Sequence, residues 1–311
     1  MKTDKEPDNH LAEEVYTKSR LPLKVIIPFL LFIPVFGFLA NFPINSILTD
    51  VVSKNLREMQ TCPITFEKIE TSFFFVPKLI VKNPSISGIC FKMPGQDLKF
   101  NDIVITFRGP SFYPPGLKFH AAIEKDKSQL HIYPSISYNR AIIKITDTVI
   151  DSAILDNFMS DKGYIKGQFS IEALIDMSLQ KVTSADIVIK SKNLVIPGRN
   201  IGGFVFDSLD IGSFLLKASK GNTEKIFINE LVAGSANGPL SASFDGEIFT
   251  NDYNFSFSNL NLKGGLSFSS AIKNNEKYGF LSFLFANYQT KNGAYQIRIG
   301  GTLEAPLMTP L

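Results

Sequence analysis

The side chains able to do covalent or metal chemistry are few. The 311 residues include three histidines and two cysteines. His10 lies near the N-terminus, and His120 and His131 flank Glu124 and Asp126. A hairpin between Phe119 and Ile132 would bring the two imidazoles together, with the carboxylates in its turn. Such a set reads either as a weak metal site or as the ordinary surface of a hairpin. It is not a closed nitrogen–sulfur ligand set of the structural zinc kind. Serines are plentiful, but no G-x-S-x-G elbow presents one as a nucleophile. No G-x-x-x-x-G-K-[ST] loop cradles a phosphate. Asp102, Asp186 and Asp245 stand singly at polar positions, and nothing in the sequence pairs them for acid–base work. The expectation is a protein that is not an enzyme and needs no cofactor or metal.

Cys62 and Cys90 are a separate pair. In an oxidising compartment an even pair forms a disulfide. Closing this loop of about 28 residues would stabilise by roughly 3–4 kcal/mol on the chain-entropy model. The same two residues also read as small buried thiols.

Composition narrows the class further. There are 32 basic and 29 acidic residues, a net charge of +3, which disfavours a broad phosphate-facing surface for nucleic acid. At 44% hydrophobic and 20% charged, the chain is too apolar for disorder and too polar for a polytopic membrane protein. Its aromatic content is skewed, with 28 Phe, 9 Tyr and no Trp.

The longest uncharged apolar run is Val25 to Phe42. As a helix it would reach about 27 Å, close to the hydrocarbon thickness of a bilayer. Pro28 and Pro34 are tolerated better there than in a soluble helix. The preceding tail is long and acidic, and bulky Phe38 stands where a cleavage site needs a small residue. The run therefore reads as an uncleaved anchor. Lys18, Arg20 and Lys24 crowd its N-terminal side, which predicts residues 1–24 in the cytoplasm, 25–42 in the membrane and the rest outside, in a bacterium the periplasm.

Residues 43–60 follow as a connecting helix. Ile44, Ile47, Leu48, Val51, Val52 and Leu56 form one stripe at helical spacing behind Pro43. From Thr61 to the end the period changes to two. Ile64-Phe66-Ile69, Leu79-Val81, Ile103-Ile105-Phe107, Ile142-Ile145, Ile187-Ile189, Leu240-Ala242-Phe244, Tyr253-Phe255-Phe257 and Tyr295-Ile297-Ile299 alternate with polar residues. Turn chemistry separates them at Asn83-Pro84, Pro94-Gly95, Pro114-Pro115-Gly116, Pro197-Gly198, Asn237-Gly238-Pro239, Gly264-Gly265 and Asn292-Gly293. Helical interruptions are expected at Asp151–Met159 and around Lys273–Phe285. Short connections imply antiparallel neighbours. The fold class is mostly β: residues 61–311 form one long, twisted antiparallel sheet, as a groove or half-barrel, with a few short helices.

The C-terminal Gly293-Ala-Tyr295-Gln-Ile-Arg-Ile-Gly-Gly301-Thr302-Leu303-Glu-Ala-Pro306 resembles the closing motif of the GspN family, the N component of type II secretion systems. Ser235 to Gly246 and Asn259-Leu-Asn-Leu262 are similar to an earlier stretch of that family, with Asn237-Gly238 where a glycine-aspartate pair is expected. Residues 62–90 resemble the first hairpin of AsmA-like envelope proteins, which begins a U-shaped β-groove. These resemblances imply a single-pass inner-membrane protein with a periplasmic body, acting without catalysis on other type II secretion components. The alternative they imply is a protein that shelters phospholipid acyl chains in its groove. Phe73-Phe74-Phe75 and the Phe280, Phe283, Phe285 cluster fit either a filled core or an apolar face left open.

Overall fold

The computed structural model describes residues 44–57, 62–72, 76–88, 97–155, 163–179, 181–201, 204–235, 237–251, 257–275, 278, 285–290 and 294–311. The expected span at Val25–Phe42 lies outside them, as do Cys90, Pro94-Gly95, Asn292-Gly293 and most of Tyr253-Phe255-Phe257. Among the described residues no helix is long and apolar enough to cross a membrane. The chain separates into two units, Met1–Ile47 and Leu48–Leu311. The sheet lies within the second.

The apolar stripe after Pro43 does form a helix, α1 (Ile44–Arg57). Thr49 Oγ1 on it lies 3.0 Å from Thr71 Oγ1. The strands follow in chain order. They begin with β1 (Ile64–Thr65), β2 (Lys68–Ser72), β3 (Lys78–Lys82), β4 (Ser85–Ile86) and β5 (Leu98–Lys99). Four long strands come next: β6 (Asp102–Phe112), β7 (Pro115–Lys125), β8 (Ser128–Ile136) and β9 (Arg140–Asp151). After the short α2 (Ser152–Leu155) come β10 (Gln168–Ser178), β11 (Lys181–Ile196), β12 (Arg199–Ile201), β13 (Phe204–Phe206) and β14 (Leu209–Lys220). The last are β15 (Lys225–Gly234), β16 (Leu240–Phe249), β17 (Asn259–Phe268), α3 (Ser270–Lys273), β18 (Tyr295–Gly301) and β19 (Pro306–Pro310).

Fourteen of these strands make one sheet, in the order β2-β3-β6-β7-β8-β9-β10-β11-β14-β15-β16-β17-β18-β19. Every neighbouring pair is antiparallel. It is a meander interrupted twice: β4 and β5 leave to pair in a small sheet with β1, and β12 pairs only with β13. The order is linear, so β2 and β19 are open edges among the described residues. The expected alternation thus yields an antiparallel, mostly β body.

Three local expectations are corrected. Gly264 and Gly265 lie inside β17 and make no turn. A Cβ on Gly264 would come within 2.1 Å of the Ser243 carbonyl oxygen and 2.4 Å of the Phe244 ring. The missing side chain therefore makes room for its cross-strand partner Phe244. Ile64-Phe66-Ile69 is not one strand, because β1 and β2 belong to different sheets. The helix expected from Lys273 instead ends there: Ser269 caps it, its side chain accepting the Ile272 N–H at 3.4 Å. Residues 279–284 lie outside the described set, and Ala286–Tyr288 forms a single 3-10 turn.

The segment between β17 and β18 supplies the main core. Ile272, Tyr278 and Phe285 pack with Phe268, Tyr295 and Ile297 on the strands and with Leu209 and Ile211 on β14. Ring centroids of Phe268, Phe285 and Tyr295 stand 5.6–5.8 Å apart. Such tilted and edge-to-face aromatic pairs add to the burial of their surface.

Candidate functional site

Side chains on directly paired residues of an antiparallel sheet point to the same face. Following the pairing across the sheet traces one transverse row. It starts at Thr71 and passes through Leu79, Ile105, Ala121, Ile132 and Ile145. It continues through Ala173, Ile187, Ala218 and Ile228. Gly246, Leu262, Ile299 and Met308 complete it at the far edge. The row crosses all fourteen strands, and after Thr71 it contains no polar side chain. Thirteen spacings of about 4.8 Å make it roughly 60 Å long. Ile103 and Phe107 flank it on β6, and Ile143 and Ile175 flank it on β9 and β10. Three rows two residues apart make a band about 13 Å tall.

Covering is uneven along the band. Ala173, Ala218, Ile228 and Leu262 are buried. Leu79, Ile105, Ala121, Ile132, Ile145 and Ile187 are only half-buried. Each such side chain leaves apolar area in water worth about 25 cal/mol per Å². The stretch from Leu79 to Ile187 is therefore the less covered part of the band, and the stretch from Ala218 to Leu262 the better covered one.

The reverse face differs. Its equivalent row reads Tyr133, Lys144, Leu174, Asp186, Ser219, Phe227, Glu247 and Asn261. Ion pairs cross the strands there, with Lys82–Asp102 at 2.6 Å, Lys217–Glu230 at 2.7 Å and Lys225–Glu247 at 2.9 Å. Asp102 and Asp186 therefore serve a solvated polar face, and the Asp102 carboxylate raises the Lys82 amine above its ordinary value. The reverse face is thus mixed: these ion pairs and carboxylates share it with exposed Leu174 and Phe227 and with Ile80, Val104 and Ala122.

His120 and His131 do come together, on the polar face. His120 Nε2 and His131 Nδ1 stand 3.2 Å apart, and His120 stacks on Tyr133 at 4.6 Å. Burial lowers the His120 imidazole below its ordinary value, and Arg108 and His131 add to the effect. Among the described residues, no group of three or more His, Cys, Asp or Glu could hold a metal ion. The pair can exchange a hydrogen bond between two strands, and no third ligand joins it there. Cys62 has its sulfur in a disulfide.

The motif residues near the C-terminus have structural work. Tyr295 is 3% exposed in the main core. Gly301 adopts φ +76°, and a Cβ on it would meet the Ala305 carbonyl oxygen at 2.5 Å. Thr302 Oγ1 accepts the Ala305 N–H at 3.1 Å, and the Leu303 N–H donates to the Ser258 carbonyl at 3.0 Å. Pro306 then opens β19 opposite Gly301. Sequence reasoning missed Thr148 and Ser258, 1% and 0% exposed, whose hydroxyls serve backbone groups of strands and loops. Neither carries a signal in its own residue type.

No protein-family model matches the chain, and no curated protein or solved structure matches it either.

Proposed function

We propose that this protein is a non-catalytic holder of lipid acyl chains, tethered to the membrane by the apolar run before its sheet. The observation that supports this reading is the unbroken row from Thr71 to Met308. A band about 13 Å tall suits an acyl chain, which spans half of a bilayer's roughly 30 Å hydrocarbon core. Chain binding would remove apolar surface from water on both partners without demanding any polar group in return. Purifying the full chain in mild detergent and recording native mass spectra tests the reading. It predicts phospholipid-sized adducts in stoichiometric amount, and bare protein alone would overturn it.

A second reading follows the GspN resemblance: a contact component of a type II secretion machine in the bacterial inner membrane. Among the described residues the edge strand β19, exposed along its whole length, favours it, because a strand edge can accept a partner strand. Secretion subunits co-purifying with lipid-free protein would replace the first reading by the second.

A further inference from the structure

We infer that three adjacent hairpin tips along one long edge of the sheet form a docking surface for an anionic lipid bilayer. The tips are the turns between β6 and β7, between β8 and β9, and between β10 and β11. The pairings Leu117↔Ile136, Ile136↔Ala141 and Ala141↔Met177 set them at one level. They are also tied to one another. Arg140 Nη1 donates to Tyr113 Oη at 2.8 Å, and its Nε donates to Asp176 Oδ1 at 2.9 Å. The Leu179 N–H donates to the Asn139 carbonyl at 3.0 Å.

What these tips present to solvent is apolar and aromatic. Phe112 is 86% exposed, Tyr113 71%, Leu179 76% and Tyr138 fully exposed. Leu179 is held at φ +47°, a region costly for a bulky side chain, in a conformation that leaves that side chain in solvent. A cleft of about 470 Å³ lies among Ile136, Tyr138, Arg140 and Leu179.

Charge identifies the partner. Residues 106–118, 134–144 and 174–184 contain Arg108, Lys118, Arg140, Lys144 and Lys181 against Asp176 alone, 5 − 1 = +4. The Arg140 guanidinium holds the Asp176 carboxyl below its usual range, so that charge is already neutralised by its partner. At the opposite ends of β7 to β9, residues 123–129 and 147–151 contain Lys125 and Lys127 against Glu124, Asp126, Asp147 and Asp151, 2 − 4 = −2. Aromatic rings with basic residues behind them are the composition that settles at the headgroup level of a bilayer carrying anionic lipid. Both features occur at this edge, and the opposite ends of β7 to β9 carry net negative charge. This inference goes beyond the acyl-chain reading and does not require it.

The test uses the absence of tryptophan from the chain. Full-length Tyr138→Trp and Lys127→Trp proteins each carry one indole, at a basic tip and at the opposite edge. They are reconstituted into equimolar phosphatidylglycerol and phosphatidylcholine vesicles whose acyl chains bear bromine quenchers. The expected result is a blue-shifted, quenched indole for Tyr138→Trp and an unquenched one for Lys127→Trp. Adding Lys118→Gln and Lys181→Gln should shift the docking equilibrium about 30-fold toward the undocked state, from about fivefold per cation near the surface. Phe112→Trp gives a second reporter if Tyr138→Trp loses its strand content by circular dichroism. An unquenched indole at the tips, or equal quenching at both edges, overturns the proposal. This readout is independent of lipid stoichiometry, so its failure is distinct from failure of the acyl-chain reading.

Discussion

Thr148 Oγ1 accepts the backbone N–H of His131 at 3.0 Å. This bond falls where the β8–β9 pairing slips between Gln129 and Ile132. A slip of this kind leaves backbone donors without ladder partners, and an unsatisfied buried donor is costly. The threonine hydroxyl supplies the lost acceptor, and the Thr146 and His131 carbonyls stand 3.2 and 3.5 Å from it. The apolar row then resumes at Ile132 and Ile145. Thr148→Val keeps the shape and removes the acceptor, so urea unfolding should show a loss of about 1–3 kcal/mol. Thr148→Ser should retain most of that stability.

Gly264 and Gly265 should respond oppositely to alanine. At Gly264 the added Cβ collides with backbone and with the Phe244 ring, whereas at Gly265 its nearest neighbour is the Tyr295 carbonyl oxygen at 3.7 Å. Gly264→Ala should cost about 1–3 kcal/mol through overpacking. Gly265→Ala should be neutral or stabilise by up to about 1 kcal/mol. Paired thermal melts separate the two.

The His120 imidazole takes up a proton less readily in the folded chain than at its ordinary value of 6.5. The unfolded chain then binds more protons below about that pH, so stability is full above it and declines as the pH falls. Urea midpoints between pH 7.5 and 5 should decrease, and His120→Gln should flatten that decrease. A midpoint that rises on acidification would contradict the assignment.

Cys62 is disulfide-bonded, and Cys90 is the chain's other cysteine. A non-reducing peptide map should recover the 62 and 90 peptides linked. Reduction should lower stability by about 3–4 kcal/mol on the chain-entropy model. Recovery of Cys90 as a free thiol would instead mean that Cys62 pairs with another chain.

Much of the sheet was legible in the sequence because alternation reports burial directly. Ile103, Ile105 and Phe107 announced both a strand and its apolar face. Register was not legible, since it depends on bulges such as the one beside Thr148, and a lone threonine among apolar residues reads only as an interruption. Gly264-Gly265 was misread because glycine pairs usually mark turns, whereas here Phe244 on a separate strand needs the space. The tie between Arg140 and Asp176 spans 36 positions and follows from no local pattern. The two histidines were placed together correctly because a single hairpin joins them.

If the apolar face carries acyl chains and the polar face does not, probes on the two faces of one strand meet different molecules. Ile143 and Lys144 are neighbours on β9 that point to opposite faces. A photoreactive benzophenone amino acid at each position, irradiated in living cells, reads the two faces separately. A phospholipid adduct is expected on the protein carrying the probe at Ile143 and none at Lys144. Equal adducts at both positions, or protein cross-links at Ile143 with no lipid, would contradict it.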